Sequence, residues 1–188
     1  GTLRVPLGTV DLPLEQRRET LVLDLSGAGG NFALVGGPQT GKSTALRTIV
    51  QALSLTYTPQ EVQFYVMDFG GGTFAGFADA PNVAGIATRD TEEVRTRMLA
   101  ELAAILDDRE RYFRHRGIDS LDTYRRGRAA GRYDDGYGDV FLVIDGWGAL
   151  RSAFDSLDRH VTTMMSRGLS LGVHLLIAAT RWLDIRAD

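Results

Sequence analysis

The chain has 188 residues, enough for one domain with its own core, and 44% apolar and 24% charged residues are the proportions of a water-soluble globular domain. It contains no cysteine, which excludes disulfides, thiolate metal sites and thiol nucleophiles. A net charge of −3 argues against a surface that grips nucleic acid non-specifically, because phosphate neutralisation supplies most of that affinity.

The longest apolar runs, such as "VHLLIAA", fall far short of the ~20 residues needed to cross a bilayer, and no basic-then-apolar leader opens the chain. The expectation is a soluble, cytosolic single domain over residues 1–188. Gly1 reads as a cloning scar, and the abrupt end at "RWLDIRAD" reads as that of an excised, C-terminally truncated domain.

In chain order, "LRVPLGTVDL" and "ETLVLDLSG" read as two short strands forming a pair ahead of the main sheet. "NFALVGG" is a buried strand running into a glycine-rich loop. "KSTALRTIVQAL" continues as a helix with Ala45, Ile49, Ala52 and Leu53 on its apolar side, stopped by "TYTP". "VQFYVMDF" is the next strand, broken at "GGGT", and "AGIAT" is a brief one. From Thr91 to about Arg116 a long amphipathic helix buries Val94, Met98, Leu102 and Ile105. Glu92 and Glu93 favour its start, and Gly117 ends it.

Residues 127–138, "GRAAGRYDDGYG", read as an exposed loop of low order. The strand "VFLVID", a helical region from about Leu150 to Arg167 and the strand "VHLLIAAT" complete the chain. Near-continuous apolar strands alternating with helices predict an α/β fold with a mostly parallel sheet covered on both faces. The order of the strands stays open. The arginine-rich runs "RERYFRHRG" and "YRRGRAAGRY" read as solvated helix faces rather than a nucleic-acid surface.

Gly36, Gly41, Lys42 and Ser43 satisfy G-x-x-x-x-G-K-S/T between a strand and a helix. Glycines permit a tight path along which amide N–H groups point at phosphates, and the following helix adds its positive end. Gly36, Gly37, Pro38, Gln39, Thr40, Gly41, Lys42, Ser43 and Thr44 are therefore the candidate ATP-binding residues. Lys42, the single lysine among 21 Lys plus Arg, reaches the β- and γ-phosphates in such a loop. Ser43 is the candidate Mg²⁺ ligand. A second carboxylate from a strand end helps hold the metal: Asp145, closing "VFLVI", is the candidate. Asp68, ending "FYVMD", competes and otherwise reads as a loop cap.

Together "GGPQTGKST", "FYVMDFGGG", "VFLVIDGW" and "LGVHLLIAATRW" resemble the FtsK/SpoIIIE branch of P-loop NTPases. More narrowly they resemble the C-terminal ATPase modules, second or third, of the EccC family of type VII (ESX) secretion systems. The resemblance spans nearly the whole chain. It implies a RecA/FtsK-like fold, Thr180 at the polar sensor position usually held by Gln, Arg181 at the family arginine and His174 at the family histidine, here read as a core residue. It also implies neighbouring ATPase modules in the same polypeptide or a hexamer, and small helical secreted substrates. Its setting is the inner face of the cell membrane, within a membrane secretion complex. DNA binding is a family-level property that the acidic balance disfavours.

Two departures matter. Translocating members carry Asp-Glu where this chain has Asp145-Gly146, and Thr180 is shorter than the sensor Gln. A positioned general base contributes about 10²–10⁴-fold. The expectation is a degenerate site that binds Mg²⁺-ATP, hydrolyses it slowly or not at all, and serves a regulatory or substrate-recognition role. The alternative is an active translocase of DNA or protein, with Asp68 as replacement base and an arginine finger from a neighbour.

Overall fold

In the computed structural model, which describes residues 3–26, 30–154 and 157–185, twelve helices and strands follow one another along the chain. Strands β1 (Arg4–Leu12) and β2 (Arg17–Asp24) form a two-stranded antiparallel ribbon of their own. The main sheet holds β3 (Phe32–Val35), β4 (Val62–Asp68), β5 (Val83–Ala87), β6 (Asp139–Asp145) and β7 (Val173–Ala179). Its order is β3-β7-β6-β4-β5, and every pairing in it is parallel.

Alternation along the central strands divides the molecule into two cores. Phe64, Val66, Phe141, Val143, Leu176 and Ala178 point to one face, against Leu46, Ile49, Val50 and Leu53 of α1 (Lys42–Thr56) and the base of the ribbon. Tyr65, Met67, Leu142, Ile144 and Ile177 point to the other, against α2 (Glu92–Arg116), α3 (Leu121–Ala129), α4 (Trp147–Ala153) and α5 (Leu157–Gly168). A strand buried on both faces has no use for polar alternation, which is why β4 and β6 read as apolar runs. The chain leaves β3 through α1 on one face and returns through α2–α5 on the other. The reversal places β3 beside β7, and ligands of such sheets sit at the carboxyl ends beside a reversal of this kind.

α1 turns its face differently from expectation. Leu46, Ile49, Val50 and Leu53 are its buried residues, while Ala45 and Ala52 are only partly covered. α2 runs as expected, with Glu92 and Glu93 in its first turn and Arg114, His115 and Arg116 in its last, complementing the helix dipole. Gly117, at φ +63°, ends it, and the N–H of Ile118 reaches back to the carbonyl of Phe113. The expected helix over 150–167 is two helices, α4 and α5, with residues 155 and 156 outside the described set, as are Gly1 and 186–188 of the chain's end.

The segment over 127–138 corrects the expectation of a loop of low order. Its first residues belong to α3, and Asp135 is buried against Arg109, whose Nε lies 2.7 Å from the carboxylate. Arg109 also donates to the carbonyls of Leu171 (2.8 Å) and Gly138 (2.9 Å), and the Tyr124 hydroxyl donates to Asp135. Burial pushes the Asp135 carboxyl up, but the bond and charge of Arg109 outweigh it and hold the pKa below the usual carboxylate value. A buried pair with every polar atom engaged fixes a segment that composition alone presents as floppy.

Candidate functional site

The P-loop residues lie together at the carboxyl end of β3. The N–H of Gly36 donates to the carbonyl of Ala179, 3.2 Å away, tying the loop to the end of β7. Gly36 needs to be glycine, because a Cβ there would lie 2.7 Å from the Thr40 hydroxyl. Gln39 (φ +59°) and Gly41 (φ +86°) take the left-handed conformation that curls the loop before α1 begins at Lys42. The result is an open pocket of about 250 Å³ lined by Gln39, Thr40, Gly41, Lys42, Ser43 and Thr44. The Lys42 ammonium folds back over this cradle, 2.5 Å from the carbonyl of Gly37 and 3.4 Å from the Thr40 hydroxyl. Thr40 itself donates to the same carbonyl at 2.9 Å.

The strand ends beside the loop carry the other candidates at nearly one level. Asp145 of β6 pairs in register with Asp68 of β4 and with Ala178 of β7, while Val35 pairs with Ala179. Both aspartates are buried, but their bonds differ. Asp68 accepts three backbone amides: Gly70 (3.1 Å) and Gly72 (3.3 Å) on Oδ1, and Phe74 (2.9 Å) on Oδ2. It caps the "FGGGT" loop, in keeping with its structural alternative. Asp145 receives only the Thr73 hydroxyl, at 3.1 Å on Oδ2, among the described residues. The loop that Asp68 holds therefore lies against Asp145. Gly70 passes so close that a Cβ would sit 2.6 Å from Asp145 Oδ2.

Gly70 and Thr73 were not singled out from the sequence. The three glycines directly after a strand were the available signal, and their closeness to Asp145 depends on the β4–β6 pairing. Thr180 stands one residue beyond Ala179 and is exposed, beside the P-loop. Arg181 turns back to Asp184, with its Nη2 3.1 Å from the carboxylate.

Gly146, following Asp145, adopts φ +93° and ψ +51°. A Cβ at this position would meet Phe69 at 3.1 Å (its Cβ), 3.2 Å (its carbonyl carbon) and 3.3 Å (its carbonyl oxygen). The backbone here is shaped for glycine.

The remaining candidates lie elsewhere. His174, on β7, is fully buried, stacked on Phe141 at 4.6 Å, with Nε2 2.8 Å from Asp139. It is a core residue, as expected. Burial raises the Asp139 pKa, yet its bonds to His174 and Arg125 bring it below the usual value. The arginine-rich runs are only partly the solvated faces expected of them. Arg109 is buried, Arg125 pairs with Asp139, and Arg111, Arg114 and Arg126 each lie near an acidic residue on their own helix.

The parallel sheet, the reversal beside β3 and the glycine-rich loop opening a helix at a lysine define a P-loop NTPase domain. The chain belongs to the FtsK/SpoIIIE family, whose sequence model matches residues 2–188. It is 50% identical over its whole length to the ESX secretion system protein EccC of Thermomonospora curvata, and 49% identical over 98% of its length to the ESX-4 secretion system protein EccC4 of Mycobacterium tuberculosis. It spans 14% and 15% of those two proteins. Among solved structures, the cytoplasmic domain of the T. curvata type VII secretion ATPase EccC matches 99% of this chain and 22% of its own, with a TM-score of 0.94 and 49% identity. T. curvata EccC (ATPases 2 and 3) in complex with a signal sequence peptide matches 99% of this chain and 34% of its own, with a TM-score of 0.93 and 49% identity.

Proposed function

We propose that this domain is an ATP-binding module of a type VII secretion ATPase that holds Mg²⁺-ATP and hydrolyses it slowly or not at all. Residues 36–44 form the cradle, and its shape fits a polyphosphate: left-handed turns at Gln39 and Gly41, a pocket of about 250 Å³ and a lysine folded over it. Lys42 has its own loop carbonyl to exchange for phosphate oxygens. Ser43 and Asp145 are the residues that would hold Mg²⁺. No group of three or more His, Asp or Glu side chains that could hold a metal occurs among the described residues. That suits an ion retained jointly with the nucleotide's phosphates rather than by an all-protein cage. When bound, the ion neutralises phosphate charge.

The observation that carries the low-turnover reading is Gly146. At φ +93°, with Phe69 behind it, this position does not offer a glutamate a place from which to prime water. The active-translocase reading needs Asp68 as the replacement base, and three backbone amides already hold that carboxylate as an acceptor. In our reading the module belongs to a longer polypeptide of several ATPase modules at the inner face of a membrane. There its bound nucleotide organises contacts with neighbouring modules and with small helical secreted substrates. No helix among the described residues is long and apolar enough to cross a membrane, so the anchor would lie in other parts of such a protein.

Calorimetric titration of ATP with Mg²⁺ into the domain tests the site. Saturable binding is expected, lost in Lys42→Ala. A variant that binds as tightly as the parent would place the nucleotide elsewhere.

A further inference from the structure

Three glycines follow β4 in a loop that carries none of the P-loop residues, and their geometry converges on one atom. A Cβ at Gly70 would lie 2.6 Å from Asp145 Oδ2, so only glycine lets the chain pass there. Gly71 (φ +106°) and Gly72 (φ +80°) then bend the chain through left-handed backbone. Thr73 comes next, and its hydroxyl donates to that same Oδ2 at 3.1 Å. The glycines bring a donor on the loop after β4 to a carboxylate at the end of β6. A threonine acting for its own segment bonds nearby backbone, as Thr48 and Thr56 do with the Thr44 and Ala52 carbonyls on α1. Thr73 directs its hydrogen to a residue 72 positions away.

The loop is anchored independently of that bond. Asp68 accepts the amides of Gly70, Gly72 and Phe74. Phe74 is fully buried in the core that α1 fills with Leu46, Ile49, Val50 and Leu53. Its ring lies 5.7 Å from Phe77, and Arg47 of α1 holds its guanidinium 6.0 Å from the Phe77 ring. Thr73 therefore stands on a support packed against the helix that begins at Lys42. Asp145 has a use for such a support. Its backbone is pinned, since the Phe69 amide donates to its carbonyl at 2.8 Å and the Gly146 amide donates to Ala178 at 3.2 Å. Its side chain still turns about two bonds, and a ligand's orientation is set by the groups that hydrogen-bond it. Thr73 is its one such partner among the described residues. Oδ1 accepts no bond there, yet the buried atoms left without a partner are Ser54 Oγ and His174 Nδ1, so Oδ1 keeps an opening to solvent. One oxygen is tethered and the other is open.

We infer that Thr73 is a positioning residue for the metal carboxylate: its hydroxyl holds Asp145 Oδ2 so that Oδ1 is left to face Mg²⁺. This rests on the Mg²⁺-ATP reading above and adds to it a residue outside the P-loop and the strand ends. Because Phe74 seats the loop on α1, the helix that follows the nucleotide cradle also fixes the group that orients the carboxylate.

The test is calorimetric titration of ATP at graded Mg²⁺ and in EDTA, for the parent, Thr73→Val, Thr73→Ser and Asp145→Asn. Valine keeps the shape of threonine and removes the donor, whereas serine keeps the donor. Losing a group that orients a metal ligand costs about 10–100-fold in metal affinity. Thr73→Val should therefore need about tenfold more Mg²⁺, or greater, for the same gain in ATP affinity, with a far smaller change in EDTA and a melting temperature close to the parent's. Thr73→Ser should recover most of the parent response. Added to Asp145→Asn, Thr73→Val should change little, because the hydroxyl acts through that carboxylate. Thr73→Ala, which removes the donor without bulk, gives the same comparison if valine destabilises the fold. Parent-like Mg²⁺ dependence in the donor-less variants, equal losses in EDTA, or a serine variant as impaired as the valine one would each overturn the proposal. A parent that binds ATP without regard to Mg²⁺ would remove the metal reading itself; a Mg²⁺-dependent parent matched by Thr73→Val would remove Thr73 alone.

Discussion

Replacing Gly146 with glutamate would, on sequence grounds, restore the missing base, but the backbone predicts a different outcome. A non-glycine residue in left-handed backbone costs about 1–2 kcal/mol. The Cβ contacts with Phe69, at 3.1 to 3.3 Å, involve a carbonyl carbon and oxygen that cannot swing aside as a side chain would. The combined penalty is of order 2–3 kcal/mol. In a domain of this size each kcal/mol lowers the melting temperature by about 2–4 °C, which gives a fall of about 4–12 °C. Gly146→Ala isolates the backbone part, since it brings the Cβ without the carboxylate, and should lose nearly as much. The assay is a thermal melt of parent, Ala and Glu variants, with ATP hydrolysis by each. Hydrolysis in Gly146→Glu should stay near the parent rate, because the carboxylate is attached at a strained position. An Ala variant that melts with the parent would refute the reasoning, as would a stable Glu variant turning over at ~1 s⁻¹ or faster.

Three further outcomes follow from the same geometry. Arg109→Ala removes the main partner of the Asp135 carboxylate, leaving it the Tyr124 hydroxyl, the Tyr137 amide and Arg128 at 4.0 Å, and strips the Leu171 and Gly138 carbonyls of their donor; chemical denaturation should show a loss of about 3 kcal/mol. Asp145→Asn should weaken ATP binding in the presence of Mg²⁺ and leave Mg²⁺-free binding nearly unchanged; equal losses under both conditions would remove Asp145 from the metal role. The pKa values of Asp135 and Asp139 are depressed in the folded state, so their contribution is fully present above the unfolded value of about 3.9 and is lost as pH falls through it towards the folded values. Melting temperatures should therefore hold from pH 5 to about 4 and fall below that value, and a profile that stays flat down to about pH 2 would contradict the two ion-pair assignments.

The legible and illegible parts of this molecule differ for physical reasons. The P-loop was readable because its chemistry is local: glycines, lysine and serine within nine residues, flanked by the right elements. β4 and β6 were readable because burial on both faces removes polar alternation. Strand order was not, since it depends on where long crossovers return. The 127–138 segment misled because glycine and aspartate suggest a loose loop, while its order comes from Arg109, far away in sequence on a helix whose apolar stripe it continues. Asp68 and Asp145 end strands that pair in register, so strand position could not separate them. Their bonds do: three amides cap Asp68, and one hydroxyl reaches Asp145. The substitution at Gly146 was visible in the sequence, but the conformation that makes glycine necessary there was not.

The most direct test of the account is the identity of the nucleotide that stays bound. Purified domain loaded with ATP and Mg²⁺, separated from free nucleotide and held at working temperature, should yield intact ATP on extraction over many minutes. Recovery of ADP, with phosphate released in repeated turnovers, would contradict it.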